Sequence, residues 1–211
     1  MYYLLLIISA IIAYAFGSLS TLTIASLYVY RKNLRKLGKG NTWFSNFRRI
    51  YGLGGLLTLL LVELVKDIIP IIIGGLLLSI KGHADIGRIF AGFCVIVGRQ
   101  WPVFYDFKGS YATVAIIVTA FFAQVSIGAA ALLAAALLIW ITKYISLGSA
   151  AAAAMMLVTA ILVADQQLVI YLSLAVLLVV LMRDLPSIVR IAGGKEMRLS
   201  FEKDLSYKFD K

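Results

Sequence analysis

Apolar residues run along this chain in long blocks, near residues 2–30, 52–80, 85–98, 112–124, 126–142, 147–164 and 167–182. Short polar stretches bearing glycine, proline or charge separate them. Blocks of this kind predict membrane-spanning helices, because about 20 apolar residues carry a helix across the hydrocarbon core. The third and fourth blocks are shorter. They predict thin, shielded helices or a re-entrant pair, and the polar, proline-broken run RQWPVFYDFKGSY (99–111) between them suits a loop that dips inward. Non-helical backbone at membrane depth is tolerated only where protein or water satisfies it. The expected fold is an all-α integral membrane protein of about seven transmembrane helices. No soluble domain, linker or sequence repeat interrupts it, so residues 1–211 are expected to form a single transmembrane helical domain. No small-residue cleavage site leads from the first block into a polar domain, and that block reads as a retained span.

Composition and charge fix the orientation of this bundle. The chain is 62% hydrophobic and carries 20 Lys and Arg against 10 Asp and Glu, a formal net charge of +10. Such an excess can signal nucleic acid, but here most of the cations lie in loops and the tail. Segments 31–51, 99–111, 143–146 and 183–211 hold 7, 2, 1 and 7 of them, or 17 of 20. Lys and Arg accumulate on the cytoplasmic side of membrane proteins. The N-terminus is therefore expected outside, with a basic cytoplasmic loop 31–51, a cytoplasmic loop 99–111 and a cytoplasmic tail 183–211. A multi-pass protein of the cell (inner) membrane with a basic cytoplasmic face follows, in contact with membrane lipids and without a nucleic-acid partner. Runs of small residues, Ala129–Ala136 and Ser149–Ala154, suit close helix packing in lipid. Cys94 is the only cysteine, which excludes an intrachain disulfide and a cysteine metal cluster.

The chemistry concentrates on the basic face. Residues 31–49, RKNLRKLGKGNTWFSNFRR, hold seven cations and no acid. Gly38 and Gly40 let the backbone turn and present amides to an anion, while Asn41, Ser45 and Asn46 add neutral hydrogen bonds. A guanidinium such as Arg35 or Arg49 can grip a phosphate through two parallel bonds. A loop that only sets topology and touches anionic headgroups is the competing reading of these residues. Phe107-Lys108-Gly109-Ser110 is a second basic turn. At Lys143–Ser149 the serines suit caps of the next helix, and the tail from Met182 to Gly194 suits a solvated surface helix ending at glycines. Glu63, Lys66 and Asp67 share one helical face inside the second block, where Glu63 and Lys66 can pair or face a substrate. His83, the only histidine, falls in an outer loop, so the basic face lacks the usual general base.

Taken in order, these pieces resemble the bacterial membrane acyl-phosphate:glycerol-3-phosphate acyltransferases of the PlsY type, almost end to end. Gly17-Ser18 looks like an early Gly-Ser of that family. Leu34-Arg35-Lys36-Leu37-Gly38-Lys39-Gly40-Asn41, continuing through Ser45-Asn46 to Arg49, is similar to L-R-x-x-G-S-G-N-x-G-A-T-N-x-x-R. Glu63-Leu64-Val65-Lys66 with Pro70 resembles D-x-x-K-G-x-x-P. Trp101-Pro102-Val103-Phe104 and Phe107-Lys108-Gly109 look like G-H-x-x-P-V-F-x-x-F-K-G-G-K-G. Lys143–Leu147 and the tail through Gly194-Lys195-Glu196 match the last two elements.

The resemblance implies seven spans, a cytoplasmic active face, no metal and no cofactor. It implies transfer of a fatty acyl group from acyl phosphate to glycerol 3-phosphate, or a related phosphorylated acceptor, in phospholipid synthesis. Arg35, Asn41, Ser45, Asn46, Arg49 and Lys108 would then bind substrate phosphate. Several motif positions differ: Lys39 replaces serine, Trp43 and Phe44 replace glycine and alanine, Arg99 replaces histidine, and Asp184 replaces the tail histidine beside Pro186. The second lysine of K-G-G-K-G is lost within Ser110-Tyr111-Ala112. Lys39, Arg99, Ser146 and Asp184 are the candidates for catalytic roles. Three readings stay open at this stage: the family reaction with compensating cations, acyl transfer to a changed acceptor, and a catalytically silent relative that binds a phospholipid or a partner protein through its basic face.

Overall fold

The computed structural model describes residues 2–21, 44–107 and 109–194, with backbone alone over 44–51. Seven α-helices and one 3-10 turn make up the described residues: α1 (Tyr2–Ser18), α2 (Phe44–Ser79), α3 (Ala84–Gln100), the 3-10 turn Val103–Tyr105, α4 (Thr113–Ala123), α5 (Val125–Thr142), α6 (Ile145–Val163) and α7 (Gln167–Ala192). The helices follow the apolar blocks. α2 breaks at Gly52, where φ is 71° and ψ −160°, so residues 44–51 form a separate short helix ahead of the apolar one. That break coincides with the boundary between the basic loop and the second block.

α5, α6 and α7 are long and apolar enough to cross a membrane. α4 has only 11 residues, which at about 1.5 Å each covers roughly half the hydrocarbon core. It is a shielded helix: Thr113, Ala115, Ile116, Val118, Thr119 and Ala120 are all buried. A single extended residue, Gln124, turns it into α5.

α3 is the hub, packed against α1, α2, α4 and α7. Gly98 permits its contact with α1, because a Cβ there would strike the carbonyl of Tyr14. The Tyr14 hydroxyl donates to the Trp101 carbonyl at 2.7 Å and fixes the same ends together. At the opposite end the ring of Tyr2 meets His83 edge-on, so the first residues of α1 lie by the α2–α3 turn.

The surface is inverted relative to that of a protein built for water. Ile11, Leu61, Leu133, Trp140 and Leu162 point outward, while Glu63, Asp67, Arg99, Gln100 and Asp184 are buried. Charged residues are almost never buried unless paired, and intramembrane charges face a polar interior. α7 corrects one expectation. It runs unbroken from Gln167 through Pro186 and ends where Gly194 turns left-handed (φ 67°). The segment after 182 is therefore the last part of the seventh helix, and its Asp184 and Ser187 are buried rather than solvated.

Candidate functional site

Two buried polar clusters meet at the end of the bundle that carries loop 99–111. The first is ionic and joins α2 to α3. Glu63, Lys66 and Asp67 do share one face, but Glu63 does not pair with Lys66. It pairs with the Arg99 Nη2, and Arg99 Nη1 lies 3.7 Å from Asp67 Oδ2. Lys66 Nζ sits 3.4 Å from Asp67 Oδ1 and donates to the Leu19 carbonyl at 3.1 Å, just past α1. Two cations and two carboxylates thus balance inside the protein, the condition under which buried charge is tolerated.

Arg99 also reaches forward along the chain. Its Nε donates to the Tyr111 carbonyl at 2.8 Å, and its own carbonyl accepts from the Ser110 amide at 3.3 Å. Gly109 fits between because it lacks a Cβ, which would collide with the carbonyls of Arg99 and Gln100. Its carbonyl accepts from Arg183 Nη2 at 2.7 Å. Ahead of this stretch the backbone turns left-handed at Asp106 and Phe107 (φ 51° and 56°), uncommon for a bulky residue.

The second cluster joins the loop to α6 and α7. Tyr111 Oη donates to Ser187 Oγ at 2.9 Å, and Arg190 Nη2 donates to the same oxygen at 2.7 Å. The Ser149 hydroxyl is shared between Asp184 Oδ2 and the Ser146 carbonyl. Ser146 is buried, and its Oγ has no hydrogen-bond partner among the described residues. The serines therefore do not cap α6, as their position beside Lys143 suggests. Tyr144 is the N-cap, and both hydroxyls lie inside the first turns.

Residues 7–194 match the family described as glycerol-3-phosphate acyltransferase. The chain belongs to that family. It is 27% identical to the glycerol-3-phosphate acyltransferase of Thermoanaerobacter pseudethanolicus (strain ATCC 33223 / 39E) over 199 residues, covering 94% of this chain and 98% of that one. The Finegoldia magna (strain ATCC 29328 / DSM 20472 / WAL 2508) relative is 30% identical over 149 residues, 71% and 73% of the two chains. The fold matches the crystal structure of PlsY (YgiH), an integral membrane glycerol 3-phosphate acyltransferase, in its glycerol 3-phosphate form. The TM-score is 0.72 at 21% identity, over 97% of this chain and 99% of that one. With its apolar exterior, this glycerol-3-phosphate acyltransferase relative is a multi-pass membrane protein.

Several positions at which this chain departs from the motifs of the acyltransferase family lie within these two clusters. Asp67 stands at the glycine of D-x-x-K-G-x-x-P and lies beside Arg99, which stands at the histidine of G-H. Tyr111, in the stretch where the second lysine is lost, bonds Ser187 of α7. Asp184, at the tail histidine, holds Ser149.

Of the expected site residues, Arg35, Lys39, Asn41 and Lys108 lie outside the described residues. Ser45, Asn46 and Arg49 fall on the short helix before Gly52. Arg99, Ser146 and Asp184 are buried within or beside the two clusters. Tyr111, Ser149 and Ser187 were not among the expected site residues. The available signal was spacing: Ser146 with Ser149, and Asp184 with Ser187, stand three apart on single helical faces.

Proposed function

We propose that this chain is a membrane acyltransferase that moves a fatty acyl group from acyl phosphate to glycerol 3-phosphate, or a closely related phosphorylated acceptor. The family match over residues 7–194 carries this reading. The basic segments support it further, since they supply the cations that two anionic substrates need. Arg35, Arg49 and Lys108 bind phosphate, while Asn41, Ser45 and Asn46 shape the loop around it. Ser146, buried beside the Asp184–Ser149 pair with a hydroxyl that has no partner among the described residues, closes the site from α6.

The acceptor hydroxyl oxygen attacks the acyl carbonyl carbon. A new ester C–O bond forms as the bond to phosphate breaks, and phosphate departs with that electron pair. The hydroxyl proton passes to a phosphate oxygen of the substrates. Acyl phosphate is already activated, so the protein has mainly to align two anions and stabilise charge. Acyl chains lie between helices, open to the bilayer. The chain forms one domain of seven spans in the cell membrane, with the N-terminus outside and the active face cytoplasmic.

Arg49→Ala tests the assignment. Loss of the bidentate phosphate grip is expected to lower turnover by about 10²-fold or more, with the variant still folded. Unchanged formation of lysophosphatidic acid by that variant would sink the phosphate-binding role.

A further inference from the structure

We infer that Arg99 is a positioning residue, an ionic anchor that sets the backbone of the loop carrying Lys108. Three observations converge on it. Its guanidinium is buried (5% exposed) and held by Glu63 and Asp67 of α2. The same side chain donates through Nε to the Tyr111 carbonyl, and the Arg99 carbonyl takes the Ser110 amide. Arg183 holds Gly109 from the other side. Each of the three residues after Lys108 is thus tied to a rigid helix.

The anchor has a second arm. Lys66 binds Asp67 and the Leu19 carbonyl, so the same four charges fix the chain where α1 gives way to the segment bearing Arg35 and Asn41. Arg99 spends its Nη2 on Glu63 and its Nε on the Tyr111 carbonyl, and its Nη1 faces Asp67, so the side chain is oriented toward α2 and the loop backbone. A forked guanidinium can face two carboxylates and donate to a carbonyl at once, in a fixed planar geometry. A shift of about 1 Å in a positioning loop can cost 10²-fold in rate, so the anchor matters to function through the loop.

This inference rests in part on the acyl-transfer reading, and the test separates the two. In a Cys94→Ala background, Ser110→Cys places a thiol in the half-buried loop, and its reaction with a water-soluble maleimide reports loop order without any turnover. Arg99→Met alone strands Glu63, so Glu63→Gln with Arg99→Met is the informative pair: it removes both charges at similar volume, which buried ion pairs often tolerate. Its melting temperature should approach that of the parent. Labelling at position 110 should nevertheless rise about tenfold, because the Nε bond to Tyr111 is gone. KM for glycerol 3-phosphate should rise more than kcat falls, the mark of lost positioning of a bound anion. Parental labelling in the folded pair would overturn the anchor. If the parent shows no acyl transfer, the function proposed above fails, and the labelling result still decides the anchor.

Discussion

Asp184 is held on α7 by the hydroxyl of Ser149 at the position where the family motif has histidine. Asp184 is fully buried there, with no imidazole to take the place of the motif's histidine. Its hydrogen bond to Ser149 is therefore important in keeping it in place. Ser149→Ala removes that donor from a buried carboxylate and is expected to cost about 1–3 kcal/mol. Thermal unfolding in detergent should show a lower midpoint. No change would mean that the bond contributes nothing. The pairing was not legible in the chain, because Ser149 and Asp184 are 35 residues apart and only the packing of α6 on α7 joins them. What was legible was local: residues three apart on one face, and the sharing of a face by Glu63, Lys66 and Asp67. That shared face did not identify the partner of Glu63. Arg99 lies 36 positions further on and reaches Glu63 only after α3 packs against α2.

At the level of elements, the apolar blocks located the helices well, since each span must satisfy its own backbone in lipid. The ends were harder to read. Charge after Met182 suggested a new surface segment, yet α7 continues to Ala192 because one face of that stretch is buried. α4 fell short of a full crossing, and its neighbours shield it. The basic elements that bear the phosphate-binding candidates have a periodicity too weak to fix their geometry from sequence. The orientation proposed from the charge distribution is open to a direct test. Lys81→Cys in the α2–α3 turn and Phe104→Cys in the loop after α3, each in a Cys94→Ala background, lie at opposite ends of the bundle and are exposed. In intact cells an impermeant maleimide should label position 81 and leave position 104 unlabelled. The reverse pattern would invert the topology and place the basic face outside.

For the whole molecule, the departures from the family motifs are the central issue. In the folded chain Asp67 lies beside Arg99, Tyr111 bonds Ser187 and Asp184 bonds Ser149. Packing of this kind ties the changed motif positions to neighbouring helices. It also accounts for the limit of motif reading: a motif compares positions one at a time, and these contacts lie between positions distant in sequence. The family fold was legible because its elements keep their order and spacing over nearly the whole chain. The measurement that tests the account most directly is phosphate release from acyl phosphate by the purified protein, with and without glycerol 3-phosphate. Release that depends on glycerol 3-phosphate and yields lysophosphatidic acid is the predicted result. No acceptor-dependent release from well-folded protein would contradict it.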